Sequence, residues 1–254
     1  MGNPSVSIVI PVLNQSGYTV QCFESIRLNT GLPTEVIWVD NGSQTHEIEI
    51  IRRQASRLSN CKVILNKENL GFIRATNQGI KEATGDYVIL LNNDTRVTRG
   101  WDITLIKPLM HYPGVGAVGP VTFNSAWQTP YGIQQNLGVE LPTGHANKQD
   151  FIHSLSKLKD KYVQLEKMSL SFFCVAMRRA LFTEIGPLCE ELSIGLGDDD
   201  EFCLRMRSYG YNILLSLGTF IHHVHRATFS ELNIGTESLR KYNMKIIRKK
   251  YPVS

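Results

Sequence analysis

No apolar run in this 254-residue chain approaches the roughly 20 residues that cross a bilayer, so no membrane-spanning helix is expected. Met1-Gly2-Asn3-Pro4 has neither the basic nor the apolar region of a secretory leader, and nothing there directs export. Cysteines are few and scattered: Cys22, Cys61, Cys174, Cys189 and Cys203 form no CxxC pair. Most sit in apolar or helical patterns, so buried free thiols are expected rather than disulfides. That usage suits the cytoplasm, where thiols stay reduced. Two phosphate-binding signatures are also missing. The first strand runs into Pro11-Val12-Leu13-Asn14-Gln15-Ser16-Gly17 instead of GxGxxG, and no GxxxxGK[ST] occurs. A pyrophosphate cradle at the first helix is thereby excluded. The net charge of +4 is too mild to imply nucleic acid. Its excess is local, at Lys241, Lys245, Arg248, Lys249 and Lys250.

What is present is a hydrophobic content of 42%, enough for a substantial core, in a pattern that alternates strand and helix at short intervals. The first half reads as strands at Val6 to Val12, Glu35 to Val39, Cys61 to Leu65 and Tyr87 to Leu91, with helical spacing between them. Such alternation argues for an α/β fold with a mostly parallel sheet flanked by helices. These strands end in Asn14, Asp40, Asn66 and Asn92-Asn93-Asp94, so polar residues gather at one sheet edge. Ligands of open α/β sheets sit outside the carboxyl ends of the strands. A carboxylate there reaches a hard cation and, through it, a phosphate. Asp94 is the natural candidate.

The second half is less regular. Val115 to Val121 and Ser171 to Met177 read as strands. Phe123 to Asp150, rich in Asn, Gln, Gly, Pro and Thr, suggests a loop or short hairpins, and the lysine-bearing Phe151 to Lys167 a mobile segment. One domain, 1–254, is expected, with a donor half (1–121), an acceptor and catalytic half (122–230) and a basic C-terminal helix (231–254). The acidic run Asp198-Asp199-Asp200-Glu201 opens a helix after Gly195-Leu196-Gly197, and His222-His223-Val224-His225 closes a strand. Four carboxylates at a helix start suit the helix dipole, although dipole compensation seldom needs so many.

The ordered motifs resemble the inverting family 2 glycosyltransferases of GT-A fold, in particular the rhamnosyltransferase-like branch, from Val6 to about Phe229. They are Ser7-Ile8-Val9-Ile10-Pro11-Val12-Leu13-Asn14, Val39-Asp40-Asn41-Gly42-Ser43, Asn69-Leu70-Gly71-Phe72 and Asn77-Gln78-Gly79-Ile80. Leu90-Leu91-Asn92-Asn93-Asp94, Gly197-Asp198-Asp199-Asp200-Glu201-Phe202-Cys203-Leu204-Arg205 and His222-His223 follow. The resemblance adds a smaller antiparallel portion on the acceptor side of the sheet. It implies transfer of a sugar from a UDP- or TDP-linked donor to a hydroxyl of a glycan, a lipid-linked glycan or a protein, by single displacement assisted by Mn²⁺ or Mg²⁺.

The resemblance also assigns roles. Asp40 receives the donor base, with Pro11 and Asn14 lining that pocket; the bland alternative for Asp40 is an Asx turn. Asn69, Gly71 and Arg74 lie along the nucleotide and its diphosphate, or else cap the helix, turn the chain and carry a solvated charge. Asn92-Asn93-Asp94 stands where the family has its DXD motif, with Asp94 alone able to hold metal by a carboxylate. His223 joins it, with His222 next, and Arg226 neutralises the leaving diphosphate. Asp199 is the general base and Asp198 meets a sugar. From the residues themselves, Trp127, Gln128, Tyr131 and Gln134 either contact an acceptor sugar or anchor their loop. The C-terminal helix either packs as a plain surface helix or touches anionic lipid at the inner membrane face. Two alternatives to the transferase remain: a sugar-phosphate nucleotidyltransferase, and a catalytically inactive nucleotide-sugar-binding module.

Overall fold

Apolar runs that stop at polar residues become the strands of one mixed sheet. The computed structural model describes residues 4–125, 127–139, 141–142, 148–192, 195–224 and 236–251. In chain order the strands are β1 (Val6–Val12), β2 (Thr34–Asp40), β3 (Cys61–Leu65), β4 (Tyr87–Leu91), β5 (Thr95–Val97), β6 (Val115–Val121), β7 (Tyr162–Gln164), β8 (Cys174–Arg178) and β9 (Asn212–His223). Their spatial order is β3-β2-β1-β4-β8-β6-β9-β5, with β7 also on β9. The ladders joining β3, β2, β1 and β4 are parallel, as the alternating pattern predicts. β8 then runs antiparallel to both β4 and β6, and β9 is parallel to β6 but antiparallel to β5 and β7.

Side chains alternate across a strand, and here both faces are covered. Val9, Ile37, Val39, Val88 and Leu90 point into one core with Ile73 and Ile80 of α3 (Phe72–Glu82). Ile8, Ile10, Val36, Trp38, Ile89 and Leu91 point into the other. There they meet Phe23 of α1 (Ser16–Asn29), Ile51 of α2 (Thr45–Ala55) and Trp101 and Leu105 of α4 (Trp101–His111). This double burial explains why β1 is apolar apart from Ser7, with every residue buried.

The stretch expected to be loop or hairpins contains helices instead. Residues Pro130–Leu137 form α5, capped by Thr129 Oγ1 accepting from Gly132 N at 3.1 Å and closed by Gly138 at φ 64°. The Thr-Pro start and Gly stop are ordinary helix signals that outweigh the polar composition. Lys148–Leu155 form α6, followed by a 3₁₀ turn at Ser156–Leu158. The segment expected to be mobile is thus pinned by buried Phe151, Leu155 and Leu165 and by the β7 ladder. Then come α7 (Arg179–Glu184), a 3₁₀ turn at Glu190–Leu192, α8 (Asp198–Ser208) and α9 (Thr236–Lys250). Among the described residues no helix is long and apolar enough to cross a membrane.

The α3 helix lies so close to the sheet that a Cβ on Gly79 would run into Val9 Cγ1 and come within 3.1 Å of Val39 Cγ2. Gly79→Ala is therefore expected to lower the unfolding free energy by about 1–2 kcal/mol, despite the roughly 1 kcal/mol that alanine gains in helix propensity. Urea denaturation checks this; an unchanged or raised midpoint contradicts the close packing.

Candidate functional site

Parallel pairing of β1, β2 and β4 brings their polar ends to one edge. Val12 is opposite Asp40 in the β1–β2 ladder, so Pro11, Asn14 and Asp40 share a corner. Asp40 is fully buried, and Oδ1 accepts from Ser43 N at 2.9 Å and Gly42 N at 3.2 Å. The Asx turn is thus present. It uses one oxygen only: Oδ2 is buried and accepts nothing among the described residues. Asn14 holds the same loop from the other side, with its N–H on Ser43 Oγ at 2.7 Å and its Oδ1 accepting from Gln44 N at 3.0 Å. Asn14 and Gln15 adopt left-handed φ values of 51° and 57°, a strained junction that those bonds retain.

Asn69 and Gly71 are stitched to this corner by Asn41, whose Nδ2 donates to Asn69 Oδ1 at 2.8 Å and whose Oδ1 accepts from Leu70 N at 3.0 Å. Asn69 Oδ1 also accepts from Gly71 N at 2.9 Å, just before α3. Arg74 lies exposed on α3, 3.5 Å from Glu190. Asn77 and Gln78 serve the scaffold, Asn77 bonding Leu188 in both directions and Gln78 exchanging hydrogen bonds with Asn66.

At the end of β4 the three polar residues diverge. Asn93 is buried and donates to Thr19 Oγ1 of α1 at 2.9 Å. Asn92 Oδ1 is buried and unmatched among the described residues, while its backbone N–H continues the sheet to Phe173 O at 2.8 Å. Asp94 Oδ1, also buried, accepts no hydrogen bond among the described residues and lies 3.4 Å from His223 Nε2. Residues 94 and 223 meet because β5 pairs with β9, Thr95 opposite His223, and Val224 N donates to Asp94 O at 3.1 Å.

The imidazole of His223 is held on every side. Its Nδ1 lies 2.9 Å from Asn124 O and its ring stacks on Phe173 at 4.6 Å and 11°. A carbonyl can only accept, so Nδ1 carries a proton and Nε2 is the ring nitrogen turned toward Asp94. Histidines that ligate metals usually have their other ring nitrogen fixed in this way. Adjacent ligands of a cation at about 2.0–2.1 Å lie about 3 Å apart, so the pair fits a divalent ion. No group of three or more His, Cys, Asp or Glu converges among the described residues. Substrate oxygens would have to complete the coordination.

A cleft of about 260 Å³ opens beside the pair, lined in part by Tyr18, Arg96, Lys148 and His222. Burial first, then Arg96 and Lys148, push the His222 pKa down, so this ring adds little charge. His225 and Arg226 lie outside the described residues.

The acidic run forms the first turn of α8. Glu201 is committed to structure, accepting from Arg205 Nη2 at 2.6 Å and Tyr251 OH at 3.0 Å. Among the described residues, no cation pairs with Asp198 or Asp199. Burial foremost, then the neighbouring carboxylates, pushes the Asp199 pKa well above the ordinary range. Asp198 is pushed up to about 6, again chiefly by burial.

Trp127 and Gln128 do not line this cleft. Both are buried; Trp127 Nε1 donates to Ser169 O at 2.8 Å, and Gln128 bridges Pro120 O at 2.8 Å and Ser171 N at 2.6 Å. Loop anchoring accounts for these contacts, while Tyr131 and Gln134 remain exposed on α5. Phe173 and Asn124, which hold His223, carry no signal in the sequence. One is an apolar strand residue and the other acts through its backbone.

The model of the family described as "Glycosyl transferase family 2" matches residues 7–186. The chain belongs to glycosyl transferase family 2. It is 27% identical over 231 residues to the O-antigen biosynthesis protein RfbC of Myxococcus xanthus, covering 87% of this chain and 17% of that protein. The mannosyltransferase PcManGT from Pyrobaculum calidifontis, solved with GDP-Man and Mn²⁺, matches with TM-score 0.65 and 18% identity over 91% of this chain and 60% of that one. TarS residues 1–349 of S. aureus, solved with UDP-GlcNAc, matches with TM-score 0.65 and 17% identity over 96% and 65%. At such identities the structures show the fold, which is GT-A. The chain spans under a third of the length of the curated relatives that match most of it.

In this family 2 glycosyltransferase the raised Asp198 pKa has a consequence for stability. An acid whose folded pKa exceeds its unfolded value binds more protons when folded, so its contribution is fully present below the unfolded pKa near 3.8 and is lost as pH rises through about 6. Asp198→Asn should therefore raise stability at pH 7 by on the order of 1–2 kcal/mol, with the gain gone near pH 4. Thermal melts across that range test it; a pH-independent difference contradicts the burial argument.

Proposed function

We propose that the protein is an inverting, nucleotide-sugar-dependent glycosyltransferase that uses Mn²⁺ or Mg²⁺. The observation that carries this reading is the Asp94–His223 pair, a buried carboxylate oxygen facing an imidazole nitrogen whose partner nitrogen is fixed by Asn124 O. A divalent cation held by Asp94 and His223 would offset negative charge on the leaving diphosphate. The unmatched Asp40 Oδ2 suits a donor base that offers a ring N–H, as uracil and thymine do. Asn14 and Pro11 complete that corner, while Asn69 and Gly71 fix the loop beside it. Arg74 is assigned to the diphosphate side, free to exchange its exposed Glu190 partner, and Asn92 to the donor through its own unmatched oxygen.

Asp199 takes the proton of an acceptor hydroxyl. The acceptor oxygen bonds to the anomeric carbon as the bond from that carbon to the diphosphate breaks on the opposite face. Configuration inverts and the proton ends on Asp199. Asp198 is assigned to the acceptor sugar, with Tyr131 as an exposed aromatic platform; Trp127 and Gln128 support the loop beneath. The acceptor class proposed is a growing glycan, free, lipid-linked or on a protein, and RfbC's role in O-antigen biosynthesis favours a surface polymer. The donors to try first are UDP- and TDP-sugars, TDP-rhamnose among them. GDP-mannose, the ligand of PcManGT, is the comparison. The setting proposed is the cytoplasm, at the inner membrane face. The outward side of α9 supports this, with Arg240, Lys241, Lys245, Arg248 and Lys249 exposed while Asn243 and Ile247 face inward.

Asp199→Asn should reduce turnover by roughly 10²–10⁴-fold with donor affinity nearly intact. Wild-type turnover in that variant would refute the base assignment. Because the base must be ionised and its pKa is raised, turnover should fall on acidification at a higher pH than an ordinary carboxylate allows. Asp94→Ala should abolish the Mn²⁺-dependent part of donor binding in calorimetry, and an unchanged isotherm contradicts the metal role. Product analysis with a UDP-sugar and Mn²⁺ separates the alternatives. Free sugar marks the transferase, pyrophosphate a nucleotidyltransferase, and binding without turnover an inactive module.

A further inference from the structure

The segment that delivers the acidic turn is held by one buried side chain from the far end of the chain. Asn243 of α9 is fully buried, and its Nδ2 lies 2.8 Å from Leu192 O, 2.7 Å from Gly195 O and 2.8 Å from Leu196 O. Two amide hydrogens are thus shared among three carbonyls, and three acceptors on one side fix which way the amide faces. All three belong to the stretch that enters α8 at Asp198. The hold is needed because the backbone there is unusual: Gly195, Leu196 and Gly197 have φ values of 136°, 69° and 99°. A leucine in the left-handed region persists only where its surroundings over-determine it. Leu196 is also the link to the carboxylates, since its backbone N–H stabilises the ionised Asp198 side chain. Ile247, one turn along α9, closes over Gly197, where an added Cβ would come within 3.2 Å of its Cδ1.

We infer that Asn243 is a positioning residue for the transfer reaction: through the Leu192, Gly195 and Leu196 carbonyls it fixes the turn from which Asp198 and Asp199 face their substrates. The inference rests on the reading of Asp199 as the base. α9 is therefore part of the catalytic half rather than an appendage. Plain docking of the helix is served by other contacts, such as Lys250 Nζ to Glu191 at 3.0 Å.

The test compares Asn243→Leu with Asn243→Ser, which keeps one donor, and with Lys250→Ala, which breaks only a docking contact. Carboxyl ¹³C NMR titration of the intact chain reads the turn directly. In Asn243→Leu the Asp198 midpoint, about 6 in the native chain, should rise because the Leu196 N–H is no longer held toward it. Hydrolysis of a UDP-sugar with Mn²⁺ should lose at least tenfold in kcat, while UDP affinity stays within about twofold. Asn243→Ser should fall between, and Lys250→Ala should match the native chain in both readouts. An unchanged midpoint and kcat in Asn243→Leu overturns the inference. So does a parallel loss of kcat, UDP affinity and melting temperature in Asn243→Leu and Asn243→Ser, which marks a merely structural role. If Asp199→Asn keeps native turnover while Asn243→Leu still moves the Asp198 midpoint, the base assignment fails and the positioning of the turn stands.

Discussion

A carboxylate oxygen and an imidazole nitrogen buried 3.4 Å apart, Asp94 Oδ1 and His223 Nε2, form the constraint around which the site is built. In a poorly solvated place, a proton or a cation between two such atoms relieves their repulsion. The fold holds them together from several sides. The β5–β9 ladder sets Thr95 against His223, Phe173 stacks on the ring, and Asn124 O fixes its tautomer. Each support comes from a different element, so the pair cannot relax by moving one side chain. An arrangement held this firmly offers a preformed place for a shared proton or a bound cation.

The remaining loops at the sheet edge follow a second rule: their polar side chains are largely spent on one another. Asn14, Asn41, Asn69 and the Oδ1 of Asp40 bond backbone groups of neighbouring turns, which makes the edge rigid before any ligand arrives. What is left over is specific. Among the described residues the unmatched buried oxygens include Asp40 Oδ2, Asn92 Oδ1 and Asp94 Oδ1, all at the ends of β2 and β4. Preorganised loops with a few uncommitted acceptors are what a nucleotide-sugar site requires, because ordering costs are met in folding rather than on binding.

The acidic turn of α8 belongs to a different layer. The family match ends at residue 186, and α8, the end of β9 and α9 all lie beyond it. The residues proposed to handle the donor thus sit in the matched part and its paired strand. The proposed base sits in a turn whose backbone is set by α9. In such a division, the acceptor side can vary while the sheet edge stays fixed.

Much of the sheet was legible because its strands are buried on both faces and their apolar runs stop abruptly at polar residues. Asp40, Asn92-Asn93-Asp94 and the acidic run were legible as chemistry out of place at element ends. The helices at Pro130–Leu137 and Lys148–Leu155 were obscured by polar composition, although Thr129-Pro130 and Gly138 marked the first of them. Trp127 and Gln128 show the opposite failure. Both acceptor contact and loop anchoring were open, and only packing put their indole and amide among backbone partners. Asn243 gave no sign at all, since an asparagine on a basic helix reads as solvated until its three carbonyl partners are seen. By itself the sequence determined which strands end in carboxylates and amides, because local periodicity fixes where an element stops. Only the tertiary structure decided that Asp94 faces His223, because a contact across so many residues is made by strand pairing, which no local pattern encodes.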